Sequence, residues 1–324
     1  MAGKFVLQRR IVYPHHRSGW AYATAALAPA LSKNGAGVLL DTMIEKNFCR
    51  RLREALAGHE IPYRRPWVGF VHAPYDIPRW CDYRKSPRYL FRLRVWQESL
   101  PYCRGLVTLS AHMRDWLQPR VPVPVLALKH PTAAPSLRFR FRRFLENPTP
   151  RLIQVGSMLR RHCSIWQLPE VPWRKTLLVP VPDPRGQARF FAAVERQRLM
   201  LGAPPLDEWR DVEILPRQSP RGYDRLLSEN IVFLHLYSAV AVNTILECIA
   251  RNTPVLVNRL PAVEEYLGRD YPLYFASLEE AAAKAGDLES LREAHEYLRA
   301  MPKHWLSGEY FCRSLMESEL YRSL

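Results

Sequence analysis

The chain has 324 residues, 48% of them apolar, and carries a net charge of +16. That length suits two domains of ordinary size with real hydrophobic cores. No apolar run approaches the ~18 residues that would span a membrane, since the longest, 21–31, is broken by Pro29. The opening apolar stretch is too short for a secretory signal, and the six cysteines form no C-x-x-C pair. Free thiols, a cytoplasmic location and no metal site are therefore expected. The charge is uneven: residues 1–150 hold 25 Lys and Arg against 9 Asp and Glu, residues 151–324 hold 22 against 22. A basic surface made only for solubility would spread over both halves, so the first half is expected to meet an acidic partner.

In chain order, the pattern predicts a strand at 9–14, a polar loop at 15–20 and a helix at 21–31. Strands follow at 35–41 and 67–74. The stretch 75–100 is rich in arginine and aromatic residues, with its latter part read as helix. A strand at 105–110, a helix at 111–117 and a strand at 123–132 complete the first half. Prolines and basic residues interrupt the rhythm from Ala133 to Pro150. It resumes with strands at 151–156, 175–181, 211–216, 230–236, 253–259 and 271–275. Helices are predicted at 187–201, 223–229, 243–250, 262–267 and 277–286, and through much of the last forty residues. Continuous apolar strands separated by helices indicate parallel sheets covered on both faces. The expected fold is α/β, two doubly wound Rossmann-like domains facing across a cleft. The boundaries read as 1–135, a basic connector at 136–150, 151–300, and a C-terminal helix at 301–324 that packs back on the first domain.

One carboxylate draws attention. Glu247 rides an otherwise apolar helix that Asn243 and Thr244 open straight after a strand. Thr244 and Glu247 have the spacing of a capping box, which is the plain reading. The other reading places a diphosphate on the free amides of the helix start, with Glu247 accepting from ribose hydroxyls one turn in.

The stretch "NTILECIARNTPVLVNRLPAVEEYLG", with its flanking strands, resembles the nucleotide-binding signature of GT-B glycosyltransferases, especially the retaining ones. It is similar also to proteins of large viruses and bacteria classed as glycosyltransferases. The resemblance implies a nucleoside-diphosphate sugar as donor, no metal and no other cofactor, and Glu247 on the ribose. It implies diphosphate contacts from the loop after the strand 151–156, here Gly156, Ser157 and either Arg160 or Arg161. A sugar-contacting glutamate common in the family falls on Ala239, and an Arg and a Lys common in that loop fall on Ser157 and His162. His72 ends a strand as His-Ala-Pro, where relatives place a similar histidine facing the donor sugar. It is the catalytic candidate, as base or sugar contact, with Asp76 in reserve. Ser18 and Gly19 are candidates for a close backbone approach to donor or acceptor. His15, His16, His130 and His162 lack the spacing of a zinc site.

By the same resemblance the N-terminal half meets the acceptor. Arg79, Trp80, Arg84, Lys85 and Arg88 interleave charge with rings, as nucleic-acid-binding surfaces do. A modified base in DNA is the favoured acceptor, an anionic membrane surface the alternative. A non-catalytic nucleic-acid-binding protein on the same scaffold is the rival from another class.

Overall fold

In the computed structural model, the residues described are 3–8, 19–81, 83–203, 205 and 211–324. Two parallel sheets carry the fold. The first orders β1 (Phe5–Leu7), β2 (Val38–Asp41), β3 (Trp67–Val71), β4 (Cys103–Thr108) and β5 (Val125–Ala127) side by side. Every pairing is parallel. All five residues of β3 are buried, as a strand covered on both faces requires. The strand expected at 9–14 lies outside the described residues, as does Ser18. Phe5–Leu7 is a strand that the sequence pattern did not single out.

The second sheet contains β6 (Arg151–Gln154), β7 (Arg174–Leu178), β8 (Glu213–Leu215), β9 (Ile231–Leu234), β10 (Val255–Asn258) and β11 (Tyr274–Phe275). Its order is β11-β10-β9-β6-β7-β8. The chain runs outward from β6 to β8, then returns to β9 and runs outward the other way. Strand order therefore reverses between β6 and β9, which opens a crevice beyond their carboxyl ends.

The stretch 75–100 does not form one amphipathic helix. Helix Pro87–Leu90 and helix Arg94–Ser99 are separated at Leu93, and Leu90 and Trp96 are buried. Their apolar side is core. The basic connector is also partly core: Phe139 and Phe144 sit in the C-terminal cluster, and helix Phe141–Leu145 leaves Arg142 and Arg143 exposed. Helices Gly308–Met316 and Glu319–Arg322 return to the first half, where Phe311, Leu315 and Tyr321 join its core. Gly308 is needed there, since a Cβ would lie 2.7 Å from the Ala26 Cβ.

The halves are clasped by named bonds. The Glu265 carboxylate accepts from the Ala111 and His112 amides, at 2.6 Å each, and so caps helix Ala111–Leu117 from the opposite domain. Tyr266 donates to the Leu109 carbonyl at 2.6 Å and accepts from the His130 amide at 3.1 Å. Ser238 donates to Asp76, and Val240 is buried in the N-terminal cluster.

Candidate active site

Between the halves lies a cavity of about 690 Å³. Its C-terminal wall is the crevice where strand order reverses. The loop after β6 leaves the sheet at Gly156, whose φ of +89° suits glycine. A Cβ there would also come within 2.9 Å of the Arg160 Nη2 atom. Leu159 takes φ +60°, and together these turns lay Arg160 along the wall. Arg160 donates to the carbonyls of Met158 (2.8 Å) and Val155 (3.3 Å) and to Thr244 Oγ1 (3.3 Å). Burial draws its pKa down to about 10, so the guanidinium remains charged at neutral pH.

Helix Asn243–Arg251 points its start at this wall. Its N-cap is Val242, and no side chain caps it. The Thr244–Glu247 capping box is therefore absent; the helix begins two residues too early for it. Glu247 instead accepts from the Tyr223 hydroxyl at 2.7 Å. It is 1% exposed to bulk solvent yet lines the cavity. Burial, then the Glu247 carboxylate, push the Tyr223 hydroxyl well above its ordinary pKa, so it stays a donor. Behind them Arg251 pairs with Asp224 at 2.5 Å, at 1% and 3% side-chain exposure, and donates to the Glu247 carbonyl at 3.1 Å. That buried pair fixes the helix carrying Glu247.

The N-terminal wall is built from the ends of β2 and β3. His72 places Nε2 2.6 Å from the Thr42 carbonyl and its ring 4.2 Å from that of Trp20. Burial draws its pKa down to about 3. The ring is thus neutral, with Nε2 donating to Thr42 and Nδ1 left as the acceptor nitrogen. Glu45 enters the wall without a sequence signal. Its Oε1 accepts from the amides of His72 (2.6 Å) and Ala73 (2.8 Å), tying down the end of β3. Burial raises its pKa to about 7, against the lowering effect of those bonds.

The cavity brings together His72, Lys85, Gly156, Ser157, Arg160, Asn243, Thr244 and Glu247. Arg161 is not on its wall; its amide donates to the His235 carbonyl (2.7 Å) and its guanidinium covers the Tyr237 ring (4.7 Å). His162 is buried, with Nε2 3.0 Å from the Ser157 carbonyl, and thereby braces the loop. Gly19 caps helix Trp20–Ala26, and its neighbour Trp20 is the residue that reaches the cavity. Asp76 is not on the cavity wall; it accepts from Ser238, which is, and lines a separate groove with Arg79 and Arg88. Trp80 packs edge-on to Tyr237 at 5.2 Å, and Arg84 is exposed to solvent and lines neither the cavity nor the groove. Ala239, which stands where the resembling family commonly has a second glutamate, is a small apolar part of the cavity wall. Among the described residues no cluster of three potential metal ligands occurs.

No protein-family model matches the sequence, and no curated protein is similar to it at a significant level. Solved structures do match. HepE (Alr3699) of Anabaena, in complex with UDP and glucose, superposes with a TM-score of 0.64 at 12% identity, covering 95% of this chain and 81% of that one. Sucrose-phosphate synthase of Thermosynechococcus elongatus gives 0.58 at 15% identity, covering 90% and 74%. The UDP-forming alpha,alpha-trehalose-phosphate synthase of Burkholderia vietnamiensis gives 0.53 at 16% identity, covering 94% and 77%. With two parallel sheets, a strand-order reversal at β6/β9 and a cavity between the halves, the chain has the GT-B fold of these glycosyltransferases.

Proposed function

We propose that the protein is a glycosyltransferase that moves a sugar from a nucleoside diphosphate to an acceptor held by its N-terminal half. The observation that carries this reading is Glu247: a carboxylate on the cavity wall, one turn into a helix whose start no side chain caps. A nucleotide lying there would set its diphosphate against the amides of Asn243 and Thr244 and the Arg160 guanidinium. Its ribose hydroxyls would donate to Glu247. The structural neighbour HepE holds UDP and glucose, which supports UDP as the nucleotide to test first.

The chemistry then rests on stabilising a departing diphosphate. A helix start and a half-buried arginine are fixed positive groups that need no rearrangement as charge develops. His72 lies on the facing wall. With its pKa near 3 it is a weak base at neutral pH, so accepting a hydrogen bond from a sugar hydroxyl at Nδ1 suits it better than removing a proton. Nothing in this scheme requires a metal ion.

The acceptor is proposed to be polyanionic, a modified base in DNA ahead of an anionic membrane surface. What supports an acidic acceptor is that the whole excess of basic residues lies in residues 1–150. Calorimetric titration with UDP-glucose and UDP tests the donor reading. Saturable binding that Glu247→Gln weakens about tenfold to a hundredfold is expected, the loss of hydrogen bonds to a charged group. Wild-type protein that binds no nucleotide or nucleotide-sugar in a thermal-shift screen would sink the proposal.

A further inference from the structure

Beside the main cavity the N-terminal half carries a second groove of about 540 Å³. The two adjoin: Pro74 lines the cavity, and the next residue, Tyr75, lines the groove. Four arginines line it, Arg79, Arg88, Arg92 and Arg120, and all four are exposed. Among the described residues the single carboxylate on its wall is Asp76, which accepts from Ser238. Arg79, Arg88 and Arg92 form no ion pair with any described carboxylate.

An aromatic scaffold sets two of these guanidinium groups. Tyr75 and Trp116 stack at 4.6 Å, with planes 3° apart. Arg88 lies 5.6 Å from the Tyr75 ring and 5.9 Å from the Trp116 ring. Arg120 lies 4.4 Å from the Trp116 ring, and its Nη1 donates to the Trp116 carbonyl at 2.7 Å. Phe91 stacks on Trp116 at 6.1 Å. The ring faces are thus already engaged, by each other and by guanidinium groups. The groove is built to present positive charge, not to receive a stacked base. Planar guanidinium forks match phosphate oxygens, where lysines would offer only point charges.

We propose that this groove binds a phosphate group of the acceptor and so delivers the acceptor to the main cavity. The proposal rests on the glycosyltransferase reading for the word acceptor; the phosphate site itself stands on the groove alone. A soluble sugar phosphate and a phosphodiester polymer offer the same group, and the experiment separates them.

Binding of glucose 6-phosphate and of a fluorescein-labelled oligothymidylate is measured at low ionic strength on wild-type protein and on the Arg88→Gln/Arg120→Gln variant. UDP binding is measured on both in parallel. The expected result is that one probe binds wild-type protein and loses at least tenfold in affinity in the variant, while UDP affinity changes less than twofold. Loss confined to glucose 6-phosphate identifies a small phosphorylated acceptor; loss of the oligonucleotide identifies a phosphodiester chain. Arg79→Gln/Arg92→Gln, which removes charge without touching the aromatic stack, repeats the test if the first pair folds poorly. If neither probe binds, or both bind the two variants as tightly as wild type, the groove is not a phosphate site. Absence of UDP binding to wild-type protein would instead count against the glycosyltransferase reading, whatever the phosphate probes do.

Discussion

Two buried carboxylates, Glu247 and Glu45, face each other's wall with different burdens. Glu247 has a hydroxyl donor in Tyr223; Glu45 has two backbone amides and a pKa raised to about 7. A carboxyl whose folded pKa lies above its unfolded value adds stability that is complete below the unfolded pKa of about 4.5 and is lost as pH rises through about 7. Glu45→Gln removes that loss. Its stability relative to wild type is therefore expected to improve by about 2–3 kcal/mol between pH 4.5 and pH 7.5, read by urea unfolding at several pH values. A difference that stays constant across that range would contradict the burial of an ionisable Glu45. His72 acts in the opposite sense. Its folded pKa near 3 lies below the ordinary value of 6.5, so its contribution is present above pH 6.5 and lost as pH falls towards 3. The Arg251–Asp224 pair predicts a larger effect: Asp224→Ala leaves a buried guanidinium unpaired and should cost about 3–5 kcal/mol in thermal or chemical unfolding. A loss below about 1 kcal/mol would mean that water reaches Arg251.

At the scale of elements, much of the site was legible because it follows from strand order. A helix opening after a buried strand, with a lone carboxylate one turn in, can be read from residues 231–247 without coordinates, although the strand ends at Leu234 and a loop leads to Asn243. The sheet then places it at the reversal between β6 and β9. What stayed illegible depends on loop register. Nothing local chooses between Arg160 and Arg161; the positive φ of Gly156 and Leu159 does. Glu45 was invisible for a similar reason, since its partners are 27 and 28 residues away across the sheet. The apolar rings of 87–99 and 139–144 allowed a lipid- or nucleic-acid-facing reading because composition cannot tell a surface aromatic from a core one. Gly156→Ala tests the loop argument. It must strain a φ of +89° and crowd Arg160, so a cost of about 1–3 kcal/mol with weaker UDP binding is expected. Unchanged UDP affinity would show that Arg160 does not depend on this turn.

Across the whole molecule, the two halves are joined by specific bonds. Glu265 of one half caps a helix of the other, and Tyr266 and Asp76 add further crossings. The glutamates at the start of helix Pro261–Leu267 thus serve differently from Glu247: Glu264 pairs with Arg259 at 2.5 Å, and Glu265 clasps the domains. The charge asymmetry visible in the sequence becomes, in the fold, a basic half with an arginine groove beside the shared cavity. The central claim is that this cavity holds a nucleotide whose ribose meets Glu247, and titration of UDP into wild-type and Glu247→Gln protein tests it most directly. The account predicts saturable binding to the wild type and affinity at least about tenfold weaker in the variant, with the fold intact by circular dichroism. Equal affinity for the two proteins, or no binding to the wild type, would contradict it.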